Sequence, residues 1–159
     1  MEPKLAVLKL VLEELGMSPS IDTVADRKRV QKAIYLAQLS KLDLGYRYGW
    51  YLMGPYCPKL TQDYYELDNE ADTTDDLSLN PNAKALLSQV KPLMSVPDEL
   101  KPELGLVDWL ELLASYHFLR KVSAMDDERA TKTFKEKKPT LARFIANGKK
   151  ALQDRNLLQ

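Results

Sequence analysis

A mainly α-helical fold, a single compact domain of about six to seven helices with one small β-strand or hairpin element around residues 46–53, is what the patterning of this chain predicts. Three observations predict it. Apolar residues recur at three- and four-residue spacing through most of the sequence, as they must if one side of each helix is to meet a core. Strict alternation is confined to one aromatic stretch, Tyr46 to Met53. Pro58, Pro81 and Pro139 stand where helices begin and Gly16 where one ends. A chain of 159 residues, 45% hydrophobic and 29% charged, has the size and composition of one ordinary globular domain and can bury a substantial core. No internal repeat is present.

The first helix runs from Lys4, with Leu5, Leu8, Val11, Leu12 and Leu15 on one stripe and Gly16 placed to stop it. A loop through Pro19 leads to a second helix from Asp22 or Asp26, either of which can cap free N–H groups. Val30, Ala33, Ile34 and Ala37 form the core stripe of that helix. Arg27, Gln31, Tyr35, Gln38 and Leu42 make a polar and aromatic edge beside it, free in principle to bind something. In the aromatic stretch, Tyr46, Tyr48, Trp50 and Leu52 share one face and Arg47, Gly49, Tyr51 and Met53 the other; Gly54-Pro55 should then break the pairing. Pro58 suits the first turn of a third helix reaching Leu67. Residues 68–79, acidic and poor in apolar anchors, read as a mobile loop. Asn80-Pro81 caps and opens a helix with Ala83, Leu86, Leu87 and Val90 inward, which Pro92 should kink or end. A connection through Pro97, Pro102 and Gly105 precedes the most apolar helix, Leu106 to Lys121, whose narrow polar stripe is Asp108, Glu111 and Ser115. Two more helices, about 126–137 and 139–156, follow from their acidic or proline first turns.

Net charge is zero, yet charge is segregated. Residues 60–80 hold seven acids and no base, whereas residues 129–155 hold nine bases against Glu136 and Asp154, a balance of +7. Either the two stretches pair within the molecule or the basic one is a docking surface. Whole-chain neutrality argues against tight, non-specific nucleic-acid binding. No apolar run approaches the roughly 20 residues that span a bilayer, and Met1-Glu2-Pro3-Lys4 does not begin a secretory signal, so no membrane association and a cytoplasmic location are expected. The single cysteine, Cys57, excludes an internal disulfide and a multi-cysteine metal site.

Chemistry has few candidates. Cys57 precedes a helix start, where the dipole can activate a thiol, but the only histidine, His117, lies in the most apolar helix and reads as a hydrogen-bonded core residue. Asp63, Glu66 and Glu70 share a helix face and read as solvated. There is no phosphate-cradling glycine loop, zinc-ligand pattern or serine-hydrolase elbow. No catalytic residue, metal or cofactor is expected, and an enzyme is disfavoured.

The segment Tyr46 to Pro58 instead concentrates five aromatic residues, Tyr46, Tyr48, Trp50, Tyr51 and Tyr56, around a stiff Gly-Pro corner. Covering a core edge and forming an exposed recognition surface are both open to it. With the preceding helix, Arg29-Val30-Gln31-Lys32-Ala33-Ile34-Tyr35-Leu36-Ala37-Gln38, the stretch Tyr51-Leu52-Met53-Gly54-Pro55-Tyr56-Cys57-Pro58-Lys59-Leu60 resembles the Panacea domain of SocA-like antitoxins and phage-associated proteins, over residues 27–67. The aromatic residue that usually precedes the glycine is displaced here by Met53. The resemblance implies a small, mainly helical, non-enzymatic protein that binds a partner protein, commonly a toxin, and neutralises or presents it. It carries over Gln31, Lys32, Tyr35, Gly54, Pro55 and Tyr56 as partner-binding positions, to which the aromatic face adds Tyr48 and Trp50. The alternative is a nucleic-acid-binding regulator of winged-helix type, with Arg27, Lys28, Arg29 and Lys32 or the basic C-terminal helices on phosphates.

Overall fold

The computed structural model describes residues 1–52, 54–70 and 76–159. It is mainly helical with one small antiparallel hairpin, as the patterning predicts. The α-helices are α1 (Pro3–Glu14), α2 (Val24–Gln38), α3 (Pro58–Asp68), α4 (Pro81–Ser88), α5 (Leu106–His117), α6 (Asp127–Lys137) and α7 (Ile145–Asp154), and the strands are β1 (Gly49–Tyr51) and β2 (Gly54–Tyr56). Short tight helical turns join α4 to α5 and α6 to α7, and α5 runs on into a wider π-type turn over Phe118–Val122.

Local chemistry explains the boundaries. At the end of α1 the Gly16 N–H bonds to the Glu13 carbonyl and the Met17 N–H to that of Leu12, a closure that needs the left-handed backbone of Gly16, at φ +73°. The N-cap of α2 is neither expected aspartate but Thr23. Its hydroxyl accepts from the Asp26 N–H while the Asp26 carboxylate takes the Thr23 N–H, so Asp26 is the return half of a capping box. Asn80 and Asp126 cap α4 and α6 through their side chains, and Pro58 and Pro81 open α3 and α4. α4 ends at Ser88, before Pro92, which lies in the turn Lys91–Met94.

The buried apolar side chains form one connected core to which every helix contributes. α5 is its axis: it packs against α2, α6 and α7, and each residue from Trp109 to His117 is buried. Trp109, the largest fully buried side chain, donates its indole N–H to the Leu93 carbonyl at 3.0 Å, so its one polar atom is satisfied.

Three expectations are corrected. The aromatic stretch is a strand only from Gly49, and Gly54-Pro55 does not end the pairing: Gly54, Pro55 and Tyr56 form the second strand, opposite Tyr51, Trp50 and Gly49 respectively. Pro55 is tolerated because a two-stranded ribbon has edges where its missing N–H breaks no central ladder. Glu111 and Ser115 do not face water, since α2, α6 and the hairpin cover that side of α5; only Asp108 of the expected stripe is exposed. Asp63 is likewise buried, at 2% exposure, where the Tyr46 hydroxyl donates to it at 2.7 Å and Lys4 and Lys59 each lie 3.2 Å away. Burial alone would raise its pKa, but the Tyr46 hydrogen bond and the two lysines outweigh it and hold the carboxyl below the ordinary range. The expected mobile loop at 68–79 begins in the last turn of α3, and its residues 71–75 lie outside the described residues. Among the described residues, bases of 129–155 pair with Glu103, Glu111, Asp127 and Asp154 rather than with the acidic stretch. No helix among the described residues is long and apolar enough to cross a membrane.

Candidate interaction site

The polar edge of α2 does bind something: the chain's own aromatic segment. Gln31, 2% exposed, accepts from the Cys57 N–H and donates to the Cys57 carbonyl, both at 2.9 Å, and its amide also reaches Thr61 Oγ1 at 3.0 Å. One turn later the Tyr35 hydroxyl sits 2.7 Å from His117 Nδ1. A further turn on, Gln38 takes the Tyr46 N–H and donates to the Tyr46 carbonyl, each at 3.0 Å. Tyr48 closes the pattern from the other side by donating to the Gln31 carbonyl at 2.7 Å and meeting the Tyr35 ring edge-on. An irregular segment cannot satisfy its own backbone, so a neighbouring helix with amide side chains at i and i+7 supplies the partners. Burial pushes the Tyr35 and Tyr48 phenols up, and they remain neutral donors.

Lys32, 1% exposed, donates to the Pro55 carbonyl at 2.7 Å. Burial lowers its pKa to about 7, the Glu111 carboxylate opposes that shift, and the charges of Lys138 and Lys28 add to it. Glu111 Oε1 is shared by Lys28 and Lys138, each at 3.2 Å. Gly54 lies over this cluster at φ +88°, and a Cβ there would stand 2.6 Å from Ser115 Oγ. Both the left-handed backbone and the close approach require glycine. β2 is thereby pressed onto α2 and α5.

The outer side of the hairpin, across from β2, is open. Leu52 is fully exposed and Tyr51 is 48% exposed. Trp50 is half-buried against Phe118, with ring centres 5.7 Å apart, and Tyr51 stands edge-on to the half-buried Tyr56 at 5.2 Å. Lys138 steadies the tip by reaching the Leu52 carbonyl at 3.5 Å. The expected site residues therefore separate. Tyr35, Gly54 and Pro55 are buried and offer a partner no surface, a correction that follows from the contacts they make or the space they leave; Gln31 and Lys32 are buried as well, and reach a partner only as lining of the hollow between α2 and α3. Tyr48 belongs with them through its hydrogen bond, while Trp50 and Tyr56 reach the surface in part. Tyr51 and Leu52, absent from the expected set, are the most exposed members; the signal was available in their place at the turn, where side chains have least to pack against.

The bases assigned to nucleic-acid contact are also largely engaged. Arg27 donates to the Ile21 carbonyl at 2.9 Å, Lys28 pairs with Glu111, and Arg29 holds Asp26 at 2.8 Å together with the Ser18 and Ser20 carbonyls. Cys57 is buried at the N-cap of α3 and makes no side-chain capping bond. His117 is a core residue with its pKa lowered to about 4, by burial first and the charge of Lys121 second, against a bond to the Leu157 backbone. Among the described residues no three His, Cys, Asp or Glu side chains gather as a metal site would require. Compared with protein-family models, curated proteins and solved structures, the chain has no match.

Proposed function

We propose that this chain is a non-enzymatic protein-interaction module, antitoxin-like or phage-related in kind, that grips a partner protein through the tip of its hairpin and neutralises or presents it. The observation that carries the reading is the contrast between the two strands: β2 is sealed onto α2 and α5 through Gln31, Lys32 and Gly54, whereas the outer strand and the residue after it leave Tyr51 half exposed and Leu52 wholly exposed. Exposed aromatic and aliphatic side chains at the end of a strand held against the core bury much area on binding, which is the profile of an interface anchor. Trp50 and Tyr56 flank the tip and extend it. The partner-binding set on this reading is Trp50, Tyr51, Leu52 and Tyr56, with Gln31, Lys32, Tyr35, Tyr48, Gly54 and Pro55 as the frame that holds them. The kinship with SocA-like antitoxins rests on the helix-and-corner motif at 29–60.

Co-expression with the products of adjacent genes tests this. Recovery of a stoichiometric complex that Tyr51→Ala and Leu52→Asp abolish is expected. Failure to recover any complex, or recovery indifferent to both substitutions, overturns the reading. The same proteins measured against a short DNA duplex at low salt examine the regulator alternative, which requires tight binding that weakens steeply as salt rises.

A further inference from the structure

Beside the hairpin, a cavity of about 230 Å³ opens between α2 and α3. Its rim is apolar, with Val24 54% and Tyr65 45% exposed, and Tyr56 forms the wall next to the hairpin. Arg27 and Lys28 bring charge to it. Among the described residues that charge is incompletely matched: Arg27 is held by a backbone carbonyl, which carries no net charge, and Lys28 shares one carboxylate oxygen of Glu111 with Lys138. The hydroxyl wall is internally satisfied, since Tyr56, Thr61 and Tyr64 bond to one another and Thr61 also accepts from Gln31. A ligand therefore gains most by bringing negative charge.

We propose that this cavity receives an Asp or Glu carboxylate from an acidic segment of the partner protein, a segment whose neighbouring apolar side chains lie on Val24, Tyr65 and the hairpin tip. The proposal rests on the interaction-module reading and specifies the partner's chemistry. Tyr56 lines the cavity and also touches Tyr51, so cavity and tip form one continuous surface. On the far side of the tip Lys137 and Lys138 line a second hollow with Trp50 and Leu52, so cations flank the hairpin on both sides. A surface of this kind complements acids set around an apolar cleft. A nucleic-acid duplex fits it less well: Arg29 is turned to Asp26 and Lys32 is buried, which leaves no extended row of exposed bases to follow a phosphate backbone.

The test is selection from a library of random twelve-residue peptides displayed on phage, carried out on the full chain and on its Lys28→Gln, Lys28→Arg, Arg27→Gln, Tyr65→Ala and Leu52→Asp variants, each first shown to be folded by circular dichroism. Expected are peptides with Asp or Glu beside Leu or an aromatic residue, whose affinity falls at least tenfold with Lys28→Gln, Arg27→Gln or Tyr65→Ala and recovers with Lys28→Arg. Tyr65 is exposed and outside the core, so its substitution keeps the test valid if Lys28→Gln misfolds. Peptides without acids that still depend on Leu52 overturn this inference and leave the wider reading standing. Peptides indifferent to Leu52 as well count against both. No enrichment, or a twelve-base-pair DNA duplex binding where acidic peptides do not and weakened by Arg27→Gln, overturns the carboxylate assignment.

Discussion

Gly54 lies where an added Cβ would meet the Ser115 hydroxyl, and the two residues make opposite predictions. Gly54→Ala forces a Cβ into the Ser115 hydroxyl while leaving a left-handed backbone, and it should cost about 2–4 kcal/mol in urea unfolding. Among the described residues Ser115 Oγ is buried with no hydrogen-bond partner, so Ser115→Ala removes an unsatisfied group and should leave stability within about 0.5 kcal/mol of the parent or raise it. In the double variant only the steric share of the Gly54→Ala loss should return, because the backbone strain remains. A Ser115→Ala loss as large as that of Gly54→Ala would mean the hydroxyl has a structural role that this geometry does not provide. The glycine was legible in the sequence as a corner; its partner was not. Ser115 follows Asp108 and Glu111 at helical spacing, which reads as a solvent stripe until the hairpin is known to lie over it.

At the scale of elements, the account turns on α2 as a clamp. Gln31→Leu conserves bulk but strips the Cys57 N–H of its partner and leaves the Cys57 carbonyl only the Thr61 N–H, and about 1–3 kcal/mol should be lost as one buried donor goes unpaired. Amide hydrogen exchange should report it locally, with protection falling first in β2 and at the start of α3; a uniform loss throughout the chain would contradict the clamp. Helix positions, the capping role of Asn80, the proline starts and the central place of α5 could be read from spacing, because each depends on residues within a turn of one another; Asp126 reads as a first-turn acid and is the N-cap. The polar edge of α2 was legible as a feature and misread as a surface. Its partners are backbone groups up to 26 residues away in the chain, and a backbone acceptor leaves no mark in the sequence. The cap was misplaced for a simpler reason: Asp22 or Asp26 reads as the cap, when Thr23 caps and Asp26, three places on, answers it.

For the molecule as a whole, burying titratable groups links stability to pH. Lys32 releases its proton near pH 7 in the folded chain and near its ordinary 10.5 when unfolded. Between those values the unfolded state binds more protons, so this lysine makes stability rise with pH, by at most about 1.4 kcal/mol per unit. Lys32→Met should flatten the profile between pH 7.5 and 9.5 even though it also forfeits the bond to Pro55. An unchanged slope would show that Lys32 stays charged. His117 acts with the same sign in a lower window: its folded pKa of about 4 lies below the ordinary 6.5, so its share of stability is present above pH 6.5 and drains away as pH falls toward 4. His117→Gln should lessen that acid sensitivity.

The claim that a sealed inner strand serves exposed side chains beside it is tested most directly by titrating the partner obtained by co-expression into the wild-type chain and the Leu52→Asp variant by calorimetry, with unfolding midpoints measured on the same samples. The account predicts an unchanged midpoint, since Leu52 is wholly exposed, and an affinity reduced at least a hundredfold, about 2.7 kcal/mol. Equal affinities for the two proteins would contradict it.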